Sequence, residues 1–172
     1  MEALVRRGLA AGLGREPDTN TIAAALAVFD RCYADNLFVS SHVYPGVAET
    51  LATLRAGGLR LACVTNKRER FANALLQSAG LATALDVVIG GDTLAHKKPH
   101  PEPLLAAAAA NGVDPAQSVM VGDSVNDRDS AAGAGFTFVF AAYGYADPDD
   151  PALNQGNHVI HAFSALPELL CG

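Results

Sequence analysis

Cysteine is scarce in this 172-residue sequence, which contains only Cys32, Cys63 and Cys171. An odd number of cysteines without Cys-x-x-Cys spacing argues against a disulfide framework. All three stand among apolar neighbours. We therefore interpret them as core thiols of a protein that works in a reducing compartment.

Positive charge is scarce as well, because 12 lysines and arginines face 18 acidic residues and leave a formal net charge of −6. The basic residues are scattered along the chain. A surface that binds nucleic acid or an anionic membrane needs them clustered. We therefore expect neither nucleic acid nor a membrane as a partner.

Long hydrophobic runs are also missing. No stretch approaches the ~20 apolar residues of a membrane-spanning helix. The N-terminal stretch MEALVRRGLAAGLG lacks the continuous hydrophobic region and the cleavage site of a signal peptide. Half of the residues are nevertheless apolar and 17% are charged, a balance that is typical of globular proteins. The sequence predicts a soluble, cytoplasmic protein and leaves its oligomeric state open.

Helical periodicity dominates the first part of the chain. A loosely amphipathic opening is followed by apolar residues at spacings of three and four: Ile22, Leu26, Phe29, Tyr33 and Leu37. The two patterns predict a helical hairpin. Ser, Pro and Gly interrupt the pattern over residues 38–46 and indicate a hinge. We therefore divide the chain into a helical part, residues 1–42, and a second part, residues 43–172.

Short apolar runs alternate with helical patterns in the second part. These runs lack the alternation of half-buried strands, and the helices between them are typical of a parallel sheet that is covered on both faces. We predict an α/β fold, a Rossmann-like, doubly wound parallel sheet with helices on both faces. Ligands of such sheets bind at the carboxyl ends of the strands. The residues that follow each strand are therefore the candidates for a site.

Candidate site residues stand at two places in this part of the chain. One place directly follows the first predicted strand, and the other is the loop before the third predicted helix. Thr65 and Asn66 combine a hydroxyl with the amides that open a helix, which can hold an anion or simply cap the helix. Lys98 stands before the first of three prolines spaced two apart, which stiffen the loop. A stiff loop can hold an ammonium against a phosphoryl oxygen, although Lys97 and Lys98 are also compatible with plain surface charges.

Two carboxylates follow the strand SVMVG. Asp123 stands at the strand end and Asp127 lies four residues later, so one helical turn brings both towards a common point. Neighbouring carboxylates repel one another unless a cation joins them. Oxygen ligands supplemented by a phosphorylated substrate suit Mg²⁺. The alternative is a pair of acids that interact with the dipole at a helix start.

A hydroxyl, a lysine and a carboxylate pair at one edge of a parallel sheet describe a site for phosphate and magnesium. With these motifs the sequence resembles the haloacid dehalogenase-like hydrolases, and within them the phosphoglycolate phosphatase family. The stretches that carry the resemblance are VTNKRERFANALL, VVIGGDTLAHKKPHPEPLLAAA, VMVGDSVNDRDSAAGAG and the YGY at 143–145.

The resemblance implies a Mg²⁺-dependent phosphatase that hydrolyses a small phosphorylated metabolite, phosphoglycolate, through an aspartyl-phosphate. It implies that Thr65 and the backbone amide of Asn66 bind the phosphoryl group, and that Lys98 stabilises its charge. Thr65 and Lys98 are thus the catalytic candidates. Asp123 is implied as a metal ligand, with Asp127 as a further ligand or an anchor. Residues 1–42 are implied to be part of a helical cap, and residues 43–172 the α/β core.

The family's first motif, DxDxT, does not occur in this sequence. In the family that motif ends the first strand and supplies the nucleophilic aspartate. The strand lies centrally, between the strands predicted at 59–64 and 118–122, so its absence leaves two buried edges unpaired. Unpaired backbone groups in a core cost about 1–3 kcal/mol each. We therefore expect the chain to be incomplete at its N-terminus and to turn over substrate poorly.

Several other functions share these residues. A sugar-phosphate phosphatase and a β-phosphoglucomutase-like enzyme use the same groups, whereas a dehalogenase does not need the magnesium carboxylates. A non-catalytic module that binds phosphate or metal, or that completes its sheet with another polypeptide, is the alternative from a different class. Four of the five histidines show no metal-ligand spacing and are assigned structural roles: His96, His100, His158 and His161.

Overall fold

The computed structural model describes residues 2–154 and 158–171. The chain divides into two compact units, Met1–Ser41 and His42–Gly172. This division lies one residue from the boundary that the sequence indicated. That the first unit is part of a cap stays a prediction.

The first unit is a pair of helices, α1 (Glu2–Leu13) and α2 (Thr19–Asp35). Asp18 begins α2, because its carboxylate accepts a hydrogen bond of 2.8 Å from the Thr21 amide. That amide has no partner within the helix. The hydrogen bonds from Thr21 also lower the pKa of Asp18. Across the described residues of both units, no helix combines the length and the apolar character that crossing a membrane requires.

The second unit alternates helices with short strands. In chain order these are α3 (Val47–Ala56), β1 (Ala62–Val64), α4 (Glu69–Ser78), β2 (Val87–Ile89), α5 (Glu102–Asn111), β3 (Val119–Gly122), α6 (Val125–Ala134), β4 (Thr137–Ala141), α7 (Pro151–Asn154), β5 (His158–Ile160) and α8 (Leu166–Cys171). All the strand pairings in the described residues are parallel. The predicted α/β class with a parallel arrangement of strands is confirmed.

Glycine ends the helices α5 and α6. Gly112 follows α5 with φ 65°, and Gly135 follows α6 with φ 76°. Only glycine adopts this left-handed conformation without a steric cost, and the turn it makes returns the chain to the next strand.

Helices cover both faces of the three-stranded sheet. Along β4 the side chains alternate, as a pleated strand requires. Phe138 and Phe140 pack on the side of α5 and α6, in a buried cluster with Leu104 and Met120. Val139 packs on the opposite side with the following buried residues from α3, β5 and α8: Leu54, Ile160 and Leu166. The helices on both faces are those expected of a doubly wound core.

The strands nevertheless form two sheets instead of one. One sheet has the order β1-β2 and the other the order β3-β4-β5. Among the described residues, β1 pairs only with β2, and β3 pairs only with β4 and with no strand on its other side. The break lies between the strands near residues 62 and 119, where the sequence predicted that a central strand is missing.

An apolar cavity of about 580 Å³ lies at this break. Both strands line it, through Ala62 and Val64 of β1 and through Val119 and Val121 of β3. Leucines of α3, α5 and α8 also contribute to the lining: Leu54, Leu104, Leu166 and Leu170. Folded interiors are normally packed with few voids larger than a water molecule. The cavity is therefore much larger than a packing void, and we call it the slot between β1 and β3.

The cysteines only partly follow the prediction of core thiols. Cys32 is exposed, because α2 buries only Ile22 among its residues, and the prediction is wrong for this residue. Cys63 is half-buried and lines the cavity, and burial raises the pKa of its thiol. The side chain of Cys171 lies outside the described part of the structure.

Candidate active site

Lys98 connects the two strand ends that flank the break in the sheet. Its ammonium donates a hydrogen bond of 2.6 Å to the carbonyl of Val64, the last residue of β1. It also lies 2.7 Å from Oδ1 of Asp127, in the first turn of α6 after β3. Lys98 is only 8% exposed. A buried ammonium is tolerated when it is paired and hydrogen-bonded, and Lys98 meets both conditions.

Asp127 fixes the turn between β3 and α6 with its second oxygen. Oδ2 accepts hydrogen bonds from the amide of Asp123 at 3.2 Å, the amide of Ser124 at 3.1 Å and the hydroxyl of Ser124 at 2.7 Å. The Ser124 hydroxyl in return accepts a bond from the Asp127 amide, which makes a reciprocal cap of the helix start. Both oxygens of Asp127 are thus engaged within the protein, which favours the role of an anchor over that of a metal ligand.

Asp123 presents its carboxylate differently. Its Oδ2 accepts a hydrogen bond of 2.9 Å from the Tyr145 amide. Its Oδ1 accepts none from the residues that the structure describes, so this oxygen is available to a ligand. The side chain is half-buried. Of the two carboxylates, Asp123 is therefore the one that can coordinate a cation.

Glycines make room for the two carboxylates. A Cβ on Gly122 would overlap the side chain of Asp127, and a Cβ on Gly144 would overlap the carboxylate of Asp123. Neither glycine has a positive φ. The two glycines are thus needed because the carboxylate side chains pack directly against their backbone, and not because of their conformational freedom. Sequence reasoning missed both glycines, although Gly122 stands in the GDS run and Gly144 in the YGY run.

Thr65 and Asn66 leave β1 next to the Lys98 contact. The Thr65 hydroxyl accepts a hydrogen bond of 3.1 Å from the Lys67 amide, which leaves the hydroxyl proton free to be donated. The Asn66 side chain donates a bond of 2.9 Å to the carbonyl of Lys98. Asn66 thus positions the lysine loop, a role that the sequence did not indicate. That its backbone amide binds phosphate stays a prediction.

An aromatic side chain borders Asp123. Tyr143 stacks edge-on against Tyr44, with ring centroids 5.2 Å apart. Burial raises the pKa of Tyr143, and the neighbouring Tyr44 and Asp123 raise it further. The phenol therefore stays neutral at physiological pH. It adds no negative charge beside the carboxylate.

The structure brings all five predicted site residues into one connected group. Asn66 holds the backbone of Lys98, Lys98 pairs with Asp127, and Asp127 binds the amide of Asp123. Thr65 follows Val64, whose carbonyl Lys98 contacts. The group lies at the carboxyl ends of β1 and β3, the edge where ligands of parallel sheets bind.

Sequence comparison assigns the chain that carries this site to a known family. The haloacid dehalogenase-like hydrolases match residues 4–135 of the chain. The chain belongs to the haloacid dehalogenase-like hydrolases. It is 41% identical to the phosphoglycolate phosphatase of Nitrosococcus oceani, over 99% of this chain and 76% of that protein. It is 44% identical to the phosphoglycolate phosphatase of Nitrosospira multiformis, over 87% of this chain and 66% of that protein.

The fold of this haloacid dehalogenase-like hydrolase also matches solved structures. The crystal structure of a predicted phosphoglycolate phosphatase from Haemophilus somnus superimposes with a TM-score of 0.86 at 30% identity. The match covers 95% of this chain and 73% of that one. The chain thus spans 66% to 76% of the length of these relatives.

Gly122→Ala tests the close packing at the strand end of this hydrolase. We expect it to lower the free energy of unfolding by about 1–3 kcal/mol, the usual cost of overpacking, because the new methyl group overlaps the Asp127 side chain. Gly12→Ala in α1 is the control, since a Cβ there meets nothing within 4 Å. Urea denaturation measures both. A Gly122→Ala variant as stable as the original protein would contradict the close packing of Asp127 against Gly122.

Proposed function

We propose that the protein is a Mg²⁺-dependent phosphomonoester hydrolase of the cytoplasm whose substrate is 2-phosphoglycolate. The observation that carries this proposal is the position of Lys98, whose buried ammonium bridges the carboxyl ends of β1 and β3 beside Asp127. The names of the relatives at 41% and 44% identity support the substrate.

The residues present fit a magnesium ion. Asp123 offers a carboxylate oxygen that accepts no hydrogen bond from the described residues, and Mg²⁺ prefers oxygen ligands and one or two carboxylates. Lys98 pairs with Asp127 and not with Asp123, so the charge of Asp123 is not already neutralised by it. Asp123 would hold the ion, with Asp127 fixing the turn behind it. When bound, the ion would neutralise part of the phosphate charge.

Thr65 and Lys98 supply the contacts to the phosphoryl group in this proposal. The Thr65 hydroxyl donates its free proton to a phosphoryl oxygen. The ammonium of Lys98 stabilises the negative charge of the phosphoryl group as it is transferred. Groups that are fixed before the reaction in this way contribute about 10²–10³ each in rate. The salt bridge to Asp127 and the Val64 carbonyl hold Lys98 in place without a substrate.

The nucleophile of this proposal is not among the 172 residues, which contain no DxDxT motif. We propose that a strand seated between β1 and β3 carries it, because the end of such a strand lies between Thr65 and Asp123. The chain without this strand is then a poor catalyst. The alternative of a module that completes its sheet with another polypeptide is favoured by the same break in the sheet.

Asp123→Asn tests the magnesium site directly. We expect it to weaken Mg²⁺ binding at least tenfold, a loss of roughly the size that perturbed metal sites show. Asp129→Asn is the matched control, because Asp129 lies on α6, the helix that follows Asp123, and pairs with Arg128 at the surface. Isothermal titration with Mg²⁺ measures both variants. Equal affinities of the two variants for Mg²⁺ would contradict the assignment of Asp123.

Competition between phosphoglycolate and sugar phosphates for binding distinguishes the candidate functions. Phosphoglycolate should bind with Mg²⁺ more tightly than sugar phosphates, and EDTA should abolish the difference. Tighter binding of a hexose phosphate would favour the sugar-phosphate phosphatase or the mutase instead. Binding of phosphate without hydrolysis, even after the missing strand is supplied, would favour the non-catalytic module.

A further inference from the structure

The loop that carries Lys98 also carries a cluster of three potential metal ligands, His96, His100 and Glu102. Their ligand atoms lie within 4.8 Å of one another. His96 Nδ1 lies 2.8 Å from Glu102 Oε2, and the rings of His96 and His100 stack with centroids 4.1 Å apart. The sequence indicated no metal-ligand spacing for these histidines. The loop nevertheless folds back on itself and brings the two rings together.

One nitrogen of each ring, Nδ1, contacts Glu102. His96 Nδ1 contacts Glu102 Oε2 directly, and His100 Nδ1 accepts a long hydrogen bond of 3.2 Å from the Glu102 amide. A metal ion bound by the three side chains would take the place of the proton shared by His96 and Glu102. It would also replace the long hydrogen bond that His100 accepts from the Glu102 amide. The three side chains are accessible, with His96 and His100 exposed and Glu102 half-buried.

We propose that His96, His100 and Glu102 form a binding site for a divalent transition-metal ion, with Zn²⁺ as the best candidate. Two imidazoles and one carboxylate are a ligand set that zinc and its neighbours prefer. Mg²⁺ takes oxygen ligands instead, so this site is chemically different from the Asp123 site. Three protein ligands leave further coordination positions to water.

The backbone around the cluster is already held in place. The Glu102 carboxylate accepts a bond of 3.0 Å from the His96 amide, and the His100 amide donates to the Lys97 carbonyl at 3.0 Å. The Ser130 hydroxyl of α6 donates to the His100 carbonyl at 2.9 Å. Binding therefore orders little additional chain, and ligands that are preorganised lose less entropy when they bind.

The position of the cluster links it to the candidate active site. Lys98 lies two residues from both His96 and His100, on the same loop, and its ammonium reaches the strand ends. A metal ion on the exposed side of the loop holds the backbone that carries this lysine. The site does not depend on the proposed hydrolase activity, and its test needs no turnover.

The experiment titrates the untagged full chain with Zn²⁺ by calorimetry, and with Co²⁺ by visible absorption, in the presence of excess Mg²⁺. We expect one ion per chain. His96→Ala, His100→Ala and Glu102→Gln should each weaken binding about 10–100-fold. The double variant His158→Ala/His161→Ala is the control, because these two histidines are also exposed and should not affect binding.

The Asp123→Asn variant distinguishes the two metal sites experimentally. It should leave Zn²⁺ binding unchanged while it weakens Mg²⁺ binding. Glu102→Gln is nearly isosteric, so it remains informative if a histidine variant fails to fold. Absence of Zn²⁺ binding by the original chain would overturn the proposal. So would affinities unchanged in the three ligand variants, or a loss of binding in the His158/His161 or Asp123 variants.

Discussion

Replacing Lys98 with methionine should lower the free energy of unfolding by about 3–5 kcal/mol, the cost of breaking a buried ion pair. The variant leaves Asp127 buried, with 6% exposure, beside an apolar side chain. It also removes the donor that satisfies the Val64 carbonyl. Typical domains are stable by only about 5–15 kcal/mol, so this one change should threaten the fold. Urea denaturation followed by circular dichroism measures the effect.

Lys97 provides the matched control for this experiment. It has the same side chain and the same loop, but it is exposed. Lys97→Met should change the stability by less than about 0.5 kcal/mol, as surface substitutions usually do. The double variant Lys98→Met/Asp127→Asn should be more stable than the sum of the single changes predicts, because no unpaired charge remains. Equal effects of Lys97→Met and Lys98→Met would show that Lys98 is not a buried bridge.

An apolar strand that ends in Asp-x-Asp should restore both stability and turnover when it is supplied to the slot between β1 and β3. Each buried backbone group that gains a partner stabilises the fold by about 1 kcal/mol, and the side chains of the strand fill the cavity. The aspartate at its end supplies the nucleophile. Since losing a nucleophile costs about 10⁶ in another hydrolase, we expect phosphoglycolate turnover to rise at least a thousandfold.

Two altered strands separate the structural effect from the chemical one. A strand that ends in Asn-x-Asn should raise the melting temperature as much as the first but give no turnover. A strand of scrambled sequence, with polar residues at the buried positions, should do neither. Added as peptides, all three can be compared on the same protein by thermal unfolding and by phosphate release. Turnover that does not depend on the strand would contradict the proposed source of the nucleophile.

Local signals in the sequence account for most of the fold. The apolar runs of the second part predicted β1 to β4 in their parallel arrangement, whereas the short β5 was not predicted as a strand. Strand lengths were less predictable, because they depend on pairing. The run at 59–64 indicates a long strand, yet β1 spans only Ala62–Val64. Its predecessor Leu61 donates its amide to the Asp86 side chain at 2.9 Å instead of to a neighbouring strand.

The candidate site was predictable in its residue types but not in its contacts. Strand ends and loop stiffness indicated Thr65, Lys98 and Asp123. The pairing of Lys98 with Asp127 depends on the distance between two loops that only the folded chain determines. The same holds for the Asn66 side chain on the Lys98 carbonyl. It also holds for the close approach of Gly144 to the carboxylate of Asp123. Spacing along the sequence carries no information about such long-range contacts.

A crystal structure of the chain with the complementing strand, Mg²⁺ and a phosphate analogue such as tungstate tests the proposed active site as a whole. We expect the metal ion on the carboxylate of Asp123. We expect the oxyanion within hydrogen-bond distance of the Thr65 hydroxyl and the Lys98 ammonium, with the strand paired to β1 and β3. An oxyanion bound away from Lys98, or a metal ion held without Asp123, would contradict it.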